Sequence, residues 1–139
     1  MLFRSEIVAN LLETGVDAVV RLSRPADPAT RARLGRFAND ADLARLSVAR
    51  IEGRDRTVKT EVVTERRAAL ASFGGVKVPV PPAAFLQASA DAETLMTAEA
   101  MVGVGQAGNV ADLFAGAGTF AFALAKTRSE EHTSELQSH

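Results

Sequence analysis

Apolar and polar residues alternate in short runs along the first eighty positions, and such runs are typical of β-strands. Six runs read this way, at residues 7–12, 17–22, 43–51, 58–64, 69–73 and 76–80. Gly15 lies between the first two runs and tolerates the positive φ that hairpin turns need. Gly74 and Gly75 mark a second turn, and Pro79 argues against a central sheet position for the last strand.

A single helix is predicted between the second and third strands. Asp27 can cap the free N–H groups of a first helical turn, and Pro28 suits the first helical position. The helix is expected to run to about residue 38, with Leu34 and Phe37 on its apolar face. Six strands and one helix predict a small, mostly antiparallel α+β region over residues 6–82.

After Pro82 the spacing of apolar positions becomes helical. Ser89 or Asp91 can cap a helix expected over residues 92–104. Its apolar positions fall on one helical face, and they are Leu95, Ala98 and Val102. Residues 83–127 therefore begin a second region of different character.

A strand, a glycine turn and a second helix follow in that region. Residues 109–114 are a short run of the buried-strand type, residues 115–118 are small, and a helix is expected from Thr119. Helix, strand, glycine turn and helix are the opening of a doubly wound, Rossmann-like α/β domain.

The glycine turn carries the main chemical motif of the chain. Gly116, Gly118 and Ala121 satisfy the G-x-G-x-x-G/A spacing between a predicted strand and a predicted helix. Residues without Cβ atoms let the turn approach a ligand, and the N–H groups of the helix start point toward it. A purely structural turn has the same spacing. No Gly-Lys-Ser/Thr follows, so the turn is not a phosphate-binding P-loop.

Composition excludes several kinds of chemistry. The 139 residues carry a net charge of −1, which gives no overall attraction to nucleic acid or membrane, and no apolar run is long enough to span a bilayer. The chain contains no cysteine, and both histidines lie after residue 127. Without them, residues 6–127 cannot form a Ser/His/Asp triad, a Cys/His pair or a histidine metal site, so no metal is expected. No signal peptide is visible, and the expected compartment is the cytoplasm.

The two ends of the chain differ from its interior. Residues 128–139 are polar, lack periodicity and match the in-frame translation of a common sequencing-library adapter. Residues 2–5, Leu-Phe-Arg-Ser, match the inverted end of the same adapter. Residues 1–5 and 128–139 are therefore predicted to be adapter-derived, and they are excluded from fold reasoning.

Two motifs together resemble the RNA (uracil-5-)-methyltransferase family. Pro82, Phe85 and Gln87 form a P-x-x-F-x-Q segment, and a D-L-F-A-G-A-G-T-F loop begins at Asp112. Members of the family show both motifs at this separation, with a helix between them. The resemblance covers residues 79–125 well and implies that residues 83–127 begin a class I S-adenosylmethionine-binding domain.

The resemblance implies roles for particular residues. Gln87 would contact the cofactor or lie beside the target base, Phe114 would line the cofactor pocket, and Asp112 would orient the amino-acid end of the cofactor. The remaining implied cofactor-binding residues are Gly116, Gly118 and Thr119. Each also has a purely structural interpretation: Gln87 and Thr119 as helix caps, Phe114 as a core aromatic, and Asp112 as a cap of the turn.

The implied reaction is methylation of C5 of uracil in RNA, with the ribosomal RNA branch closer than the transfer RNA branch. In the family a cysteine thiolate adds to C6 of a uracil that has left its stack, C5 takes the methyl group, and a base removes the C5 proton. The cysteine and the base lie far downstream of the glycine loop. We therefore expect a truncated fragment with no catalytic residue of its own, poor order from residue 109 onward, and weak or absent cofactor affinity. The oligomeric state is not predicted.

Two alternatives stay open from the sequence. The glycine turn also suits another Rossmann-like enzyme that binds a nicotinamide or flavin cofactor, although the acidic residue expected about 20 positions later falls in the adapter-like tail. A non-catalytic interaction domain with an incidental glycine turn is the other alternative. Detectable binding of S-adenosylmethionine would argue against it.

Overall fold

A computed structural model describes residues 6–52, 56–87, 89–113 and 115–126. Both adapter-like segments lie outside the described residues. The chain divides into two compact units: an N-terminal unit of Met1–Ala71 and Pro79–Ala83, and a C-terminal unit of Ser72–Val78 and Ala84–His139. The described residues form a mixed α/β structure.

Four strands form the sheet of the N-terminal unit, in the order β1-β2-β3-β4. Strands β1 and β2 pair antiparallel, β2 and β3 pair parallel, and β3 and β4 pair antiparallel with a bulge between Leu46 and Ser47. The four strands are β1 (Glu6–Leu12), β2 (Gly15–Arg21), β3 (Arg45–Glu52) and β4 (Thr57–Glu65). The predicted strands and the mostly antiparallel pairing are confirmed.

Helix α1 (Pro28–Asp40) connects the two parallel strands. The Asp27 carboxylate accepts a hydrogen bond from the Thr30 amide at 2.7 Å, which confirms the predicted cap. Ala38 is fully buried, and Leu34 packs against the same core cluster, which includes Leu46 of the sheet. Phe37 was predicted on the apolar face, but it is 54% exposed, because the helix turns the small Ala38 toward the sheet instead.

A buried ion pair joins the two parallel strands. Asp17 on β2 and Arg45 on β3 are partners in the strand register, and Asp17 is only 1% exposed. Arg45 Nε and Nη2 donate to the two Asp17 carboxylate oxygens at 2.8 and 2.9 Å. Nη2 also donates to the Val80 carbonyl at 2.7 Å. This hydrogen bond connects the proline-rich segment 79–82 to the four-stranded sheet.

The remaining two strands form a separate hairpin. Strands β5 (Leu70–Phe73) and β6 (Val76–Pro79) make a two-stranded sheet, as predicted, and the boundary between the units passes through it. Gly74 and Gly75 have φ values of +56° and +81° in the turn. These angles are why the turn requires glycine.

Helix α2 (Ala90–Val104) is the longest element among the described residues of the C-terminal unit. The Ser89 hydroxyl accepts from the Ala92 amide at 3.1 Å, so Ser89 is the cap of the two candidates. No residue of α2 is buried, and Leu95 and Val102 are 68% and 77% exposed. Its predicted apolar face is therefore not packed against other described residues.

The strand predicted at 109–114 is wrong over the described residues 109–113, which adopt no strand conformation. A strand exists only when another strand accepts and donates its backbone hydrogen bonds, and no described strand pairs with this segment. The predicted helix is present, and residues 119–126 are helical.

Candidate functional site

The glycine turn before the helical segment 119–126 has a backbone that only glycine adopts readily. Gly116 and Gly118 have φ values of +56° and +93°. The Gly118 amide donates to the Ala115 carbonyl at 2.7 Å, and the Phe122 amide donates to the Gly118 carbonyl at 3.0 Å. A Cβ atom at Gly118 would overlap the ring of Phe122. The turn therefore needs glycine at 118 for its dihedral angle and for space.

Thr119, the first residue of the helical segment, borders a cavity of about 280 Å³. The other side of this cavity is α2, which contributes Glu93, Thr97 and Met101. Burial raises the pKa of the Glu93 carboxyl above its ordinary value. The sequence motifs did not point to Glu93, since acidic residues such as Asp91 and Glu93 are common in the first turn of a helix.

Asp112 borders a second cavity, of about 310 Å³. Its neighbours there are Asn109 and Val110 from the preceding segment and Leu124 from the helical segment. Thr119 is not part of this lining, so Asp112 and Thr119 face different cavities of the C-terminal unit.

The other predicted site residues are placed as follows. Gln87 is half-buried and lines neither of these two cavities. Phe114 lies outside the described residues. Continuity of the chain brings Gly116, Gly118 and Thr119 together at the start of the helical segment, and Gln87 does not line the cavity that Thr119 borders.

No cluster of three or more His, Cys, Asp or Glu side chains with the spacing of a metal site occurs among the described residues. No helix within the described ranges combines the length and the apolar character needed to cross a membrane.

Sequence similarity relates this chain to proteins named RNA methyltransferases. No protein-family model matches the chain. An uncharacterized RNA methyltransferase of Brucella suis is 38% identical over 130 residues, which cover 94% of this chain and 29% of that protein. The chain resembles a segment of RNA methyltransferases. A second protein of the same description, from Zymomonas mobilis, is 32% identical over 89% of this chain and 30% of its own length.

A shorter match has a higher identity. An uncharacterized RNA methyltransferase of Mesorhizobium japonicum is 44% identical over 79 residues, which cover 57% of this chain and 19% of that protein. These relatives support an RNA methyltransferase family, and the chain spans less than a third of the length of each. The Brucella match is longer than residues 6–127, so it includes part of the terminal segments, whose adapter origin stays a prediction.

Proposed function

We propose that the chain is part of an S-adenosylmethionine-dependent methyltransferase that modifies C5 of uracil in RNA, ribosomal rather than transfer RNA, in the cytoplasm. The observation that carries the proposal is the match along most of the chain to proteins named RNA methyltransferases. The finer assignment to uracil C5 is supported by the P-x-x-F-x-Q segment followed by the Asp112 loop.

The glycine turn is the proposed contact with the cofactor. Positive φ at Gly116 and Gly118 exposes backbone rather than side chain to a ligand, and the first N–H groups of an α-helix have no acceptor within the helix. Asp112, at the edge of a cavity of about 310 Å³, would bind the amino group of the methionine moiety. Thr119, Gln87 and Phe114 complete the proposed cofactor-binding set, which would open a Rossmann-like domain over residues 83–127.

S-adenosylmethionine supplies the methyl group when bound. The residues of this chain would bind and orient it, and none of them is proposed as catalytic. The uracil reaction implied by the resemblance needs a cysteine nucleophile, and the chain contains none. We therefore infer that the 139-residue chain transfers no methyl group by itself.

Ultraviolet cross-linking to radiolabelled S-adenosylmethionine tests the cofactor site, because it captures weak complexes. The chain should be labelled, and S-adenosylhomocysteine should compete. Gly118→Val should lose most of the label, since a side chain there overlaps Phe122 and requires a strained φ.

Gly103→Ala is the matched control, because Gly103 lies within α2 with open space around it. Its labelling should equal that of the unmodified chain. Labelling that is unaffected by Gly118→Val would contradict the assignment of the glycine turn. Competition by a nicotinamide dinucleotide, with none by S-adenosylhomocysteine, would replace the proposal with another Rossmann-like enzyme.

A further inference from the structure

A small cleft in the N-terminal unit lies where the chain leaves β2 and enters α1. The small and apolar residues that line it include Leu22 and Ala26 from this connection and Val48 and Ala49 from β3. Strands β2 and β3 are parallel, so their carboxyl ends meet at this edge of the sheet. In open parallel α/β sheets, ligands bind outside the carboxyl ends of the strands, and β2 and β3 form one such parallel pair within this mixed sheet.

Positively charged side chains dominate the walls of the cleft. Four cations line it together with one carboxylate, that of Glu61, and the cations are Arg24, Arg31, Arg50 and Lys59. Because the whole chain has a net charge of −1, this concentration of positive charge is local.

Two carboxylates partly neutralise these cations. Arg31 forms an ion pair with Glu61, and Glu52 pairs with Arg50 and, at 4.0 Å, with Lys59 Nζ. Arg24 is exposed and makes no ion pair among the described residues. The cations at the cleft therefore exceed the carboxylates paired with them.

The same positive charges act on the Glu61 carboxyl. The hydrogen bond from Arg31 holds the pKa of Glu61 below its ordinary value, and the charges of Lys59 and Arg50 lower it further. Asp27, the other acid beside the connection, accepts from the Thr30 amide and is not a lining residue. An incoming anion can therefore bind Arg24 without displacing a carboxylate from it, and among the described residues Lys59 is held only by the 4.0 Å pair with Glu52.

We propose that this cleft binds one phosphate group of an RNA backbone, held chiefly by Arg24 and Lys59. The cleft measures about 60 Å³, far below the roughly 300 Å³ at which small-molecule pockets begin, so a base and its ribose would remain outside. Phosphate contacts position a nucleic acid without reading its sequence. The choice of RNA as the source of the phosphate rests on the proposed function. The assignment of the cleft as an anion-binding site rests on its lining residues instead.

Binding of a short fluorescent single-stranded RNA to the full chain tests this proposal. The double variant Arg24→Gln/Lys59→Gln should weaken binding about threefold to tenfold. The slope of log affinity against log salt should fall by about 0.7, the value for one phosphate contact on single-stranded RNA. Both side chains are exposed, so the variant should fold, which circular dichroism verifies.

The matched control is Arg33→Gln/Arg36→Gln, which removes the same charge from exposed positions of α1 outside the cleft. Its affinity and salt slope should stay near those of the unmodified chain. An equal loss in both double variants would overturn the proposal, since binding would then depend on overall charge alone.

Two further measurements are needed. One distinguishes RNA from free phosphate as the ligand of the cleft, and the other distinguishes failure of this proposal from failure of the proposed cofactor site. Millimolar inorganic phosphate at constant ionic strength should not displace the RNA; displacement would reduce the cleft to a free-phosphate site and overturn the assignment to RNA. Cross-linking to S-adenosylmethionine should be the same in the cleft variant. Cleft-dependent RNA binding without any cofactor labelling would contradict the proposed cofactor site and support this inference.

Discussion

The two units of the chain satisfy their hydrophobic patterns to different extents. In the N-terminal unit, apolar residues of β2, β3 and α1 bury one another, and Leu46, Ala44 and Ala38 are completely inaccessible. In the C-terminal unit, Leu95, Val102 and Leu113 remain exposed, and α2 buries no residue. The same kind of local pattern thus yields a packed core in one unit and an uncovered surface in the other.

The difference shows that apolar spacing specifies a strand only when a partner strand is present. Each strand of the four-stranded sheet has a neighbour within the described residues, whereas residues 109–113 have none. The elements of the C-terminal unit begin and end at local signals, namely the Ser89 cap and the glycine turns at 74 and 116–118. Substitutions in the packed N-terminal unit and in the C-terminal unit should therefore differ in their effect on stability.

The largest effect is expected from the buried ion pair. Asp17→Ala leaves the Arg45 guanidinium buried without its counter-charge, which should cost about 3–5 kcal/mol in the free energy of unfolding measured with urea. Glu6→Gln, which breaks the exposed pair with Arg21, should cost less than about 1 kcal/mol. Equal costs for the two variants would mean that burial adds nothing to the Asp17–Arg45 interaction.

A smaller effect is expected at the close contact between the β5–β6 turn and the helical segment. A Cβ atom at Gly74 would lie 2.8 Å from Ala123 Cα, and Gly74 has positive φ. Gly74→Ala should therefore destabilise the C-terminal unit by about 2–3 kcal/mol, measured by hydrogen exchange over residues 119–126. Gly103→Ala, in open space within α2, should instead stabilise its helix by about 0.5–1 kcal/mol. A neutral Gly74→Ala would show that the contact is not maintained.

Removal of a helix cap should cost less. Ser89→Ala removes the acceptor for the Ala92 amide and should destabilise α2 by about 1 kcal/mol, seen as lower helix content and faster amide exchange at residues 92–94. Ser89→Asp keeps an acceptor at the same place and should retain the helix. If alanine and aspartate behave alike at position 89, the cap does not determine where α2 begins.

The smallest effect is expected for an exposed ion pair, and it should depend on pH. Hydrogen bonds from Arg67 and Arg66 lower the pKa of Asp42 below its ordinary value near 4. A carboxyl whose pKa is lower in the folded state stabilises the fold above its unfolded-state pKa, and this contribution is lost as pH falls through the folded value.

Asp42→Asn should therefore lower the free energy of unfolding at neutral pH, and the difference from the unmodified chain should disappear on acidification below about pH 4. Asparagine also tolerates the φ of +50° at this position, so backbone strain does not confound the comparison. A difference that persists unchanged at low pH would exclude ionisation of Asp42 as its cause.

The sequence predicted most of the N-terminal fold and only part of the candidate site. Alternation and turn residues located all six strands, and Asp27 with Pro28 located the start of α1, because these signals are local. The Asp17–Arg45 pair and the basic cleft escaped prediction, because they depend on the register between β2 and β3. Glycine spacing correctly marked a turn, but it did not reveal that Asp112 and Thr119 border different cavities.

Titration of the isotope-labelled chain with S-adenosylmethionine, followed by two-dimensional amide NMR, tests the central claim most directly, because it detects weak binding residue by residue. We expect shifts concentrated at Asp112, Gly116, Gly118 and Thr119, with the resonances of β1–β4 unchanged. Shifts confined to the N-terminal unit would contradict the assignment of the glycine turn as the cofactor site.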